Sequence, residues 1–276
     1  VDLKKSGVSI RIVGKSGRWD TIGFLGRLRS TISRLEPDIF CTFLPVSNVL
    51  AAFCKFFDPK LRTVTGVRAS HLDIVQYDLL TRLLYHAEPH LVRSVDLIVA
   101  NSKAGCRYAI SSGFPARRLR TIPNGIDTER FRPDPVGRRA LRDAWGIGED
   151  TTLIGLIARL DPMKDHETFL RAAASLCERR SDVAFICVGD EERVSRADLQ
   201  RLAESVGIHR RLAWLPGSED ITAVVNACDL TCSTSAFGEG FSNALGEAMA
   251  CGRRCVATDV GDAREIVADT GIVVPS

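Results

Sequence analysis

Short, β-branched apolar runs alternate with longer amphipathic stretches along most of this chain. Val8–Val13, Ile39–Leu44, Arg62–Val67 and Asp96–Asn101 read as strands, with Ile22–Leu35, Val49–Phe57, Ile74–Val92 and Lys103–Ser111 as the helices between them. The pattern breaks after Asp127. The segment from Phe131 to Gly137, with Pro133 and Pro135, carries turn chemistry, and Arg138–Trp145 reads as a short helix. Alternation then resumes with strands at Leu153–Ala158, Ala184–Val188, Leu212–Leu215, Leu230–Thr234 and Cys255–Thr258 and helical stretches such as Glu167–Leu176 and Asp198–Ser205. Repeated strand–helix units of this size predict parallel sheets covered on both faces. The expected architecture is an α/β protein of two domains, 1–127 and 151–276, flanking a cleft and joined by a linker region at 128–150. Ligands of such sheets bind at the carboxyl ends of the strands.

One segment says more than the rest. After the strand ending near Ser235 come Ala236-Phe237-Gly238-Glu239-Gly240-Phe241-Ser242-Asn243 and then a helix carrying Glu247. Strand, glycine-rich turn, helix aims backbone N–H groups at an anion, and glycine lets a ligand approach the backbone closely. Glu239, between two glycines, adds nothing structural to the turn; its carboxylate suits sugar hydroxyls. Glu247 suits a ribose diol, although alone it also reads as a solvent-facing helical glutamate. Arg159 and Lys164, after the strand 153–158 and before a helix, could clamp a diphosphate. The alternative there is an ordinary charged loop with Asp165 as helix cap. Gly189 follows another strand and lines the cleft edge or a solvated loop. Ile122–Asp127, with its Asn-Gly, closes the first domain as a turn. His71 follows a first-domain strand and faces the cleft, or is a merely packed histidine.

At 276 residues the chain exceeds a typical single domain, which agrees with two. A net charge of +3 is too mild to imply nucleic acid. Local clusters at Arg27, Arg29 and Arg34, and at Arg117, Arg118 and Arg120, could face anionic lipid or a phosphorylated substrate; the alternative is a solvated face. Nine cysteines without a C-x-x-C pair read as buried free thiols in a reducing cytoplasm. No signal peptide or membrane-spanning run is present. Three motifs fail. Gly14-Lys15-Ser16 lacks the glycine a P-loop needs where Ser9 stands. His86 and His90 are separated by Pro89, expected to interrupt the helix, and lack the metalloprotease glutamate. No Asp-x-Asp pair occurs, so no metal is required.

Taken together, Ile122–Asp127, Ile157–Lys164, Val188–Glu191, Phe237–Glu247, Ala248–Gly252 and Val256–Gly261 resemble the retaining glycosyltransferases of family 4, the glycosyl transferases group 1 type. The resemblance is tightest from 121 to 262; the first sixty residues share only the general pattern. It implies two Rossmann-like domains facing a cleft, the GT-B fold, with a nucleotide-diphosphate-sugar donor, a UDP- or GDP-sugar, held by the second. Arg159 and Lys164 would bind the diphosphate, Glu239 the donor sugar and Glu247 the ribose, with backbone groups at Gly240, Phe241, Ser242 and Asn243 completing the cradle. His71 would be the first domain's contribution. No cofactor or metal is implied. The acceptor would be a saccharide or a lipid-linked hydroxyl, with peripheral contact to the inner membrane surface, in polysaccharide or glycolipid synthesis. The family's opening strand and glycine-rich loop have no counterpart here, and relatives continue past Ser276, so the sequence is expected to be a fragment truncated at both ends. Rival readings are a sugar-nucleotide-binding subunit without catalysis, and an epimerase or phosphorylase on the same scaffold. A nicotinamide dehydrogenase is disfavoured because no G-x-G-x-x-G follows a strand.

Overall fold

The computed structural model describes residues 7–17, 20–68, 70, 79–217 and 220–276. Two parallel sheets organise them. The first has the order β1 (Phe40–Phe43), β2 (Thr63–Val67), β3 (Leu97–Ala100), β4 (Leu119–Thr121). It is flanked by α1 (Thr21–Leu35), α2 (Pro45–Phe57), α3 (Leu79–Leu91) and α4 (Lys103–Ser111). Val92, Val95, Ile98, Phe114 and Leu119 bury its core. Asp96 pins the start of β3 to its neighbour, accepting from the Thr63 backbone N–H at 2.7 Å and from Lys55 at 2.9 Å. Burial alone would raise that carboxyl; these donors hold it below the ordinary range.

The second sheet runs β10-β9-β8-β5-β6-β7: β5 (Thr152–Ile157), β6 (Val183–Val188), β7 (Leu212–Leu215), β8 (Leu230–Ser233), β9 (Arg254–Thr258) and β10 (Ile272–Val274). All its pairings are parallel. Six helices cover it: α5 (Pro135–Ala144), α6 (His166–Cys177), α7 (Arg196–Ser205), α8 (Ile221–Ala227), α9 (Asn243–Ala250) and α10 (Ala263–Val267). The chain moves outward from β5 through β6 to β7, then returns to lay β8 on the other side of β5. The order therefore reverses between β5 and β8, and ligands of open α/β sheets bind at such a point, beyond the carboxyl ends of the strands.

Residues 128–150 pack on this second unit. Phe131 joins the core around Leu245 and Val267, and Leu141 and Trp145 pack on the cluster of Leu153, Ile186 and Val224. Arg142, 1% exposed, donates to the carbonyls of Gly148 (2.6 Å), Thr151 (2.5 Å) and Ala227 (3.0 Å) and to Asp229 (3.1 Å).

Three expectations are corrected. Val8–Val13 is not a strand: it pairs with none of the described strands, and Ile12 is 91% exposed. Its alternation is genuine, but a strand needs a partner edge, and none of the described strands supplies one. Pro89 does not interrupt α3, which continues to Leu91; so near the end, proline removes one hydrogen bond rather than breaking a run. Cys41 lies on exposed edge strand β1, whereas Cys54, Cys187, Cys228, Cys251 and Cys255 are buried.

Candidate active site

The chain leaves β5 into a tight sequence of turns. Asp161 accepts from the Met163 backbone N–H at 2.9 Å, closing a single 3-10 turn over Pro162–Lys164. Asp165 takes a left-handed conformation (φ 44°) and caps α6, accepting from the Thr168 N–H at 3.1 Å. The capping reading of Asp165 thus holds, and the cap itself folds Lys164 back over the strand ends. From the other side, Thr234 Oγ1 donates to the carbonyls of Lys164 (2.9 Å) and Asp165 (3.0 Å), and the Ala236 N–H donates to Met163 (2.9 Å). The loops after β5 and β8 are stitched together at the point of strand-order reversal.

That stitching unites Lys164 and Glu239, 75 residues apart. Lys164 Nζ lies 2.5 Å from Glu239 Oε2, which also accepts from Ser235 Oγ at 3.0 Å. The side chains are 17% and 11% exposed, so each charge is compensated largely out of water. Ala158, Lys164, Ser233, Ser235, Ser242 and Ala244 line the adjoining crevice. Two crevice glycines are set by packing. A Cβ on Gly240 would sit 2.7 Å from Asn101 Oδ1, and one on Gly261 (φ +66°) 2.5 Å from the Glu239 and Gly240 carbonyls.

The remaining expected residues divide. Ser242 is buried at the cap of α9, with Phe241 beside it. Asn243 Oδ1 accepts from Asn124 Nδ2 at 2.8 Å, and Asn124 Oδ1 accepts from Arg68 at 3.2 Å, linking α9 to the turn at 122–127 and to the end of β2. Glu247 is half-buried; burial pushes its carboxyl up, and Arg130 opposes the shift. Arg159 is exposed and ion-paired with Glu192, so Arg159 and Lys164 each hold a carboxylate of their own. Gly189 has a structural reason: a Cβ there would lie 2.0 Å from the Ala158 carbonyl on the neighbouring strand end. His71 lies outside the described residues.

Two features of the site escaped the sequence reading. His166, the first residue of α6, is 2% exposed, stacks on Trp214 with ring centroids 6.4 Å apart, and gives neither ring nitrogen a hydrogen-bond partner. Burial lowers its pKa to about 4, the Ala158 backbone opposing only in part. Arg193 donates to Asp161 at 2.9 Å; burial would raise that carboxyl, but Arg193 and the Met163 N–H hold it below the ordinary range. A histidine at a helix start and an arginine in a loop carry no distinguishing sequence signal.

A larger cavity of about 500 Å³ opens at the carboxyl ends of β1 and β2, lined among others by Arg68, Tyr85, His86, Glu88 and Tyr108. Glu88 is buried, its carboxyl pushed up by burial against a 2.7 Å hydrogen bond from Asn48.

A profile described as glycosyl transferases group 1 matches residues 137–276, and one described as glycosyltransferase family 4 matches residues 4–130. The chain belongs to the glycosyl transferases group 1 family. Among curated members, a GDP-mannose-dependent alpha-(1-6)-phosphatidylinositol monomannoside mannosyltransferase of Mycolicibacterium smegmatis is 34% identical over 61% of this chain and 46% of its own length. A D-inositol 3-phosphate glycosyltransferase of Mycobacterium tuberculosis is 33% identical over 68% of this chain and 39% of its own. The chain thus spans less than half the length of these relatives. The crystal structure of Anabaena HepE with UDP-glucose superposes with a TM-score of 0.87 at 23% identity, over 99% of this chain and 74% of that one. The two parallel sheets resemble those of the GT-B glycosyltransferases.

Proposed function

We propose that this group 1 family member transfers a sugar from a nucleotide-diphosphate sugar to an acceptor hydroxyl, retaining anomeric configuration. The observation that carries the reading is the Lys164–Glu239–Ser235 constellation at the reversal point between β5 and β8. A cation and a carboxylate held together there suit the two ends of one bond. Lys164 exchanges Glu239 for the donor's diphosphate, and Glu239 turns to the sugar. As the bond from the anomeric carbon to the phosphate oxygen breaks, its electron pair stays on that oxygen, where Lys164 and the backbone N–H groups of Gly240–Asn243 stabilise it. The acceptor oxygen bonds to the same face of the anomeric carbon, and its proton passes to the leaving phosphate. Glu239 favours the positive charge that builds on the sugar. Arg159 joins the diphosphate on releasing Glu192, Glu247 takes the ribose, and His71 belongs to the sugar's first-domain side.

The cavity lined by Tyr85, Tyr108 and Glu88 suits the acceptor, offering aromatic faces and a buried carboxyl for hydroxyls. No helix among the described residues is long and apolar enough to cross a membrane. Phe53, Phe56 and Phe57 of α2 are nevertheless exposed, Arg29 of α1 lies over the Phe57 ring, and α1 and α2 hold no acidic residue. This face suits an anionic membrane surface carrying a lipid-linked acceptor, on the cytoplasmic side where free thiols persist. Of the first basic cluster, Arg27 is held by Asp20 and the Gly14 carbonyl and Arg34 by Ser30, which leaves Arg29 as the one over the aromatic face; Arg118 and Arg120 of the second cluster donate to backbone carbonyls.

The test is release of nucleoside diphosphate from a panel of UDP- and GDP-sugars by the intact protein. Glu239→Ala should lower turnover at least tenfold while leaving nucleotide affinity within about threefold. Equal losses of both would contradict its role at the sugar.

A further inference from the structure

The turn carrying Glu239 is held from two domains at once. The Gly238 carbonyl accepts from the backbone N–H of Ser70 at 3.3 Å, and the Glu239 carbonyl accepts from Ser70 Oγ; both donors belong to the first domain. The Gly240 carbonyl accepts from the backbone N–H of Asp262 at 3.0 Å, after β9 in the second domain. Three consecutive carbonyls are thus bound from outside the turn.

Asp262 then reaches across the cleft. It is 5% exposed, and its carboxylate accepts from the Lys103 N–H at 2.6 Å through Oδ2 and from the Ala104 N–H at 2.7 Å through Oδ1. These are first-turn amides of α4, in the other domain. The helix has its own cap, Ser102 Oγ accepting from the Gly105 N–H at 2.8 Å, so the second domain's carboxylate takes the two amides Ser102 leaves over. Lys103 Nζ and Glu265 Oε2, 2.8 Å apart, add an exposed ion pair on the same seam.

We propose that Asp262 is a positioning residue that couples approach of the two domains to the shape of the Glu239 turn. The inference rests on the donor-site reading of Glu239. Through its side chain Asp262 grips the first domain; through its main chain it fixes Gly240. Ser70 fixes the two preceding peptides from the opposite side, and Asn101 and Ser102 press against Gly240. When the domains part, water replaces Asp262 at the α4 amides and Ser70 at the turn together. The contact is discrete, made or broken as a unit, which is what a two-state closure requires. Glu239 is then held over the crevice when the cleft is closed and released when it opens to exchange donor and product.

Hydrogen–deuterium exchange on the intact protein tests this, alongside hydrolysis of a UDP- or GDP-sugar and calorimetric binding of UDP and GDP. Asp262→Ala should speed amide exchange at least tenfold both at Lys103 and Ala104 and at Ser70, whose N–H donates to the Gly238 carbonyl, while α6 stays protected as a control for folding. Asp262→Asn keeps one acceptor oxygen and should protect one of the two α4 amides, falling between the parent and the alanine variant. In the alanine variant kcat should fall at least tenfold with nucleotide Kd within twofold. Faster exchange confined to α4, with the Ser70 amide still protected, would overturn the coupling and leave an ordinary helix cap. Failure of the unsubstituted protein to bind either nucleotide would instead count against the donor site, and the exchange result would still decide the coupling.

Discussion

Lys164 and Glu239 face each other in a largely dry crevice, so removing either leaves the other charge without a partner. Lys164→Ala should weaken nucleotide-diphosphate binding by about 1.5–3 kcal/mol, the worth of one charge-assisted contact, measured by calorimetry. The sequence showed both residues because each follows a strand and borders a turn. It could not show that they touch: that depends on Thr234 and Ala236 stitching two loops whose side chains carry no motif of their own. Arg159 shared Lys164's signal, yet the fold pairs it with Glu192. His166 offers a test of a residue the pattern hid. Its ring stays neutral in the folded protein down to about pH 4, whereas the unfolded chain takes up a proton near pH 6.5. Stability should therefore be full above pH 6.5 and fall as pH drops towards 4, by roughly 3 kcal/mol. A melting series over that window should show His166→Leu losing this part of the slope; equal slopes would contradict the assignment.

Among the elements, the second sheet was legible almost strand for strand because buried parallel strands are continuous apolar runs. The short outer strands β4 and β10 were not read, since three residues carry too little pattern. Val8–Val13 misled for the opposite reason: its alternation is clear, but none of the described strands receives it. The segment 128–150 looked like a linker because Pro133, Pro135 and Gly137 break the alternation. It is bound to the second sheet by the packing of Phe131, Leu141 and Trp145 and by two guanidinium groups, that of Arg138 and that of Arg142, the latter buried among carbonyls of Gly148, Thr151 and Ala227. Arg142→Met should destabilise the fold by about 1–3 kcal/mol, because the Gly148 and Thr151 carbonyls lose this buried donor while Arg138 still serves Asp229 and Ala227. Urea unfolding measures it, and a loss under 1 kcal/mol would mean that apolar packing and Arg138 hold α5 without it.

The whole molecule places the end of its second sheet, where the strand order reverses, against the ends of β2 and β3 in the first. Gly240 lies at this contact, with no room for a side chain. Gly240→Ala would drive a methyl group into Asn101 Oδ1, so the variant should lose turnover by an order of magnitude with little change in melting temperature. A variant as active as the parent would show that the two domains need not meet at this turn. Neither nucleobase nor sugar could be read from the sequence, since in the proposed reading Lys164, Glu239 and Glu247 address only the diphosphate, the sugar and the ribose that such donors share. The central claim, a nucleotide-diphosphate site at this point, is tested most directly by calorimetric titration of the protein and its Lys164→Ala variant with UDP and GDP. Saturable binding of one nucleotide, weakened at least tenfold by the substitution, is the predicted result. Binding of neither by the folded, intact protein, or binding indifferent to Lys164, would contradict it.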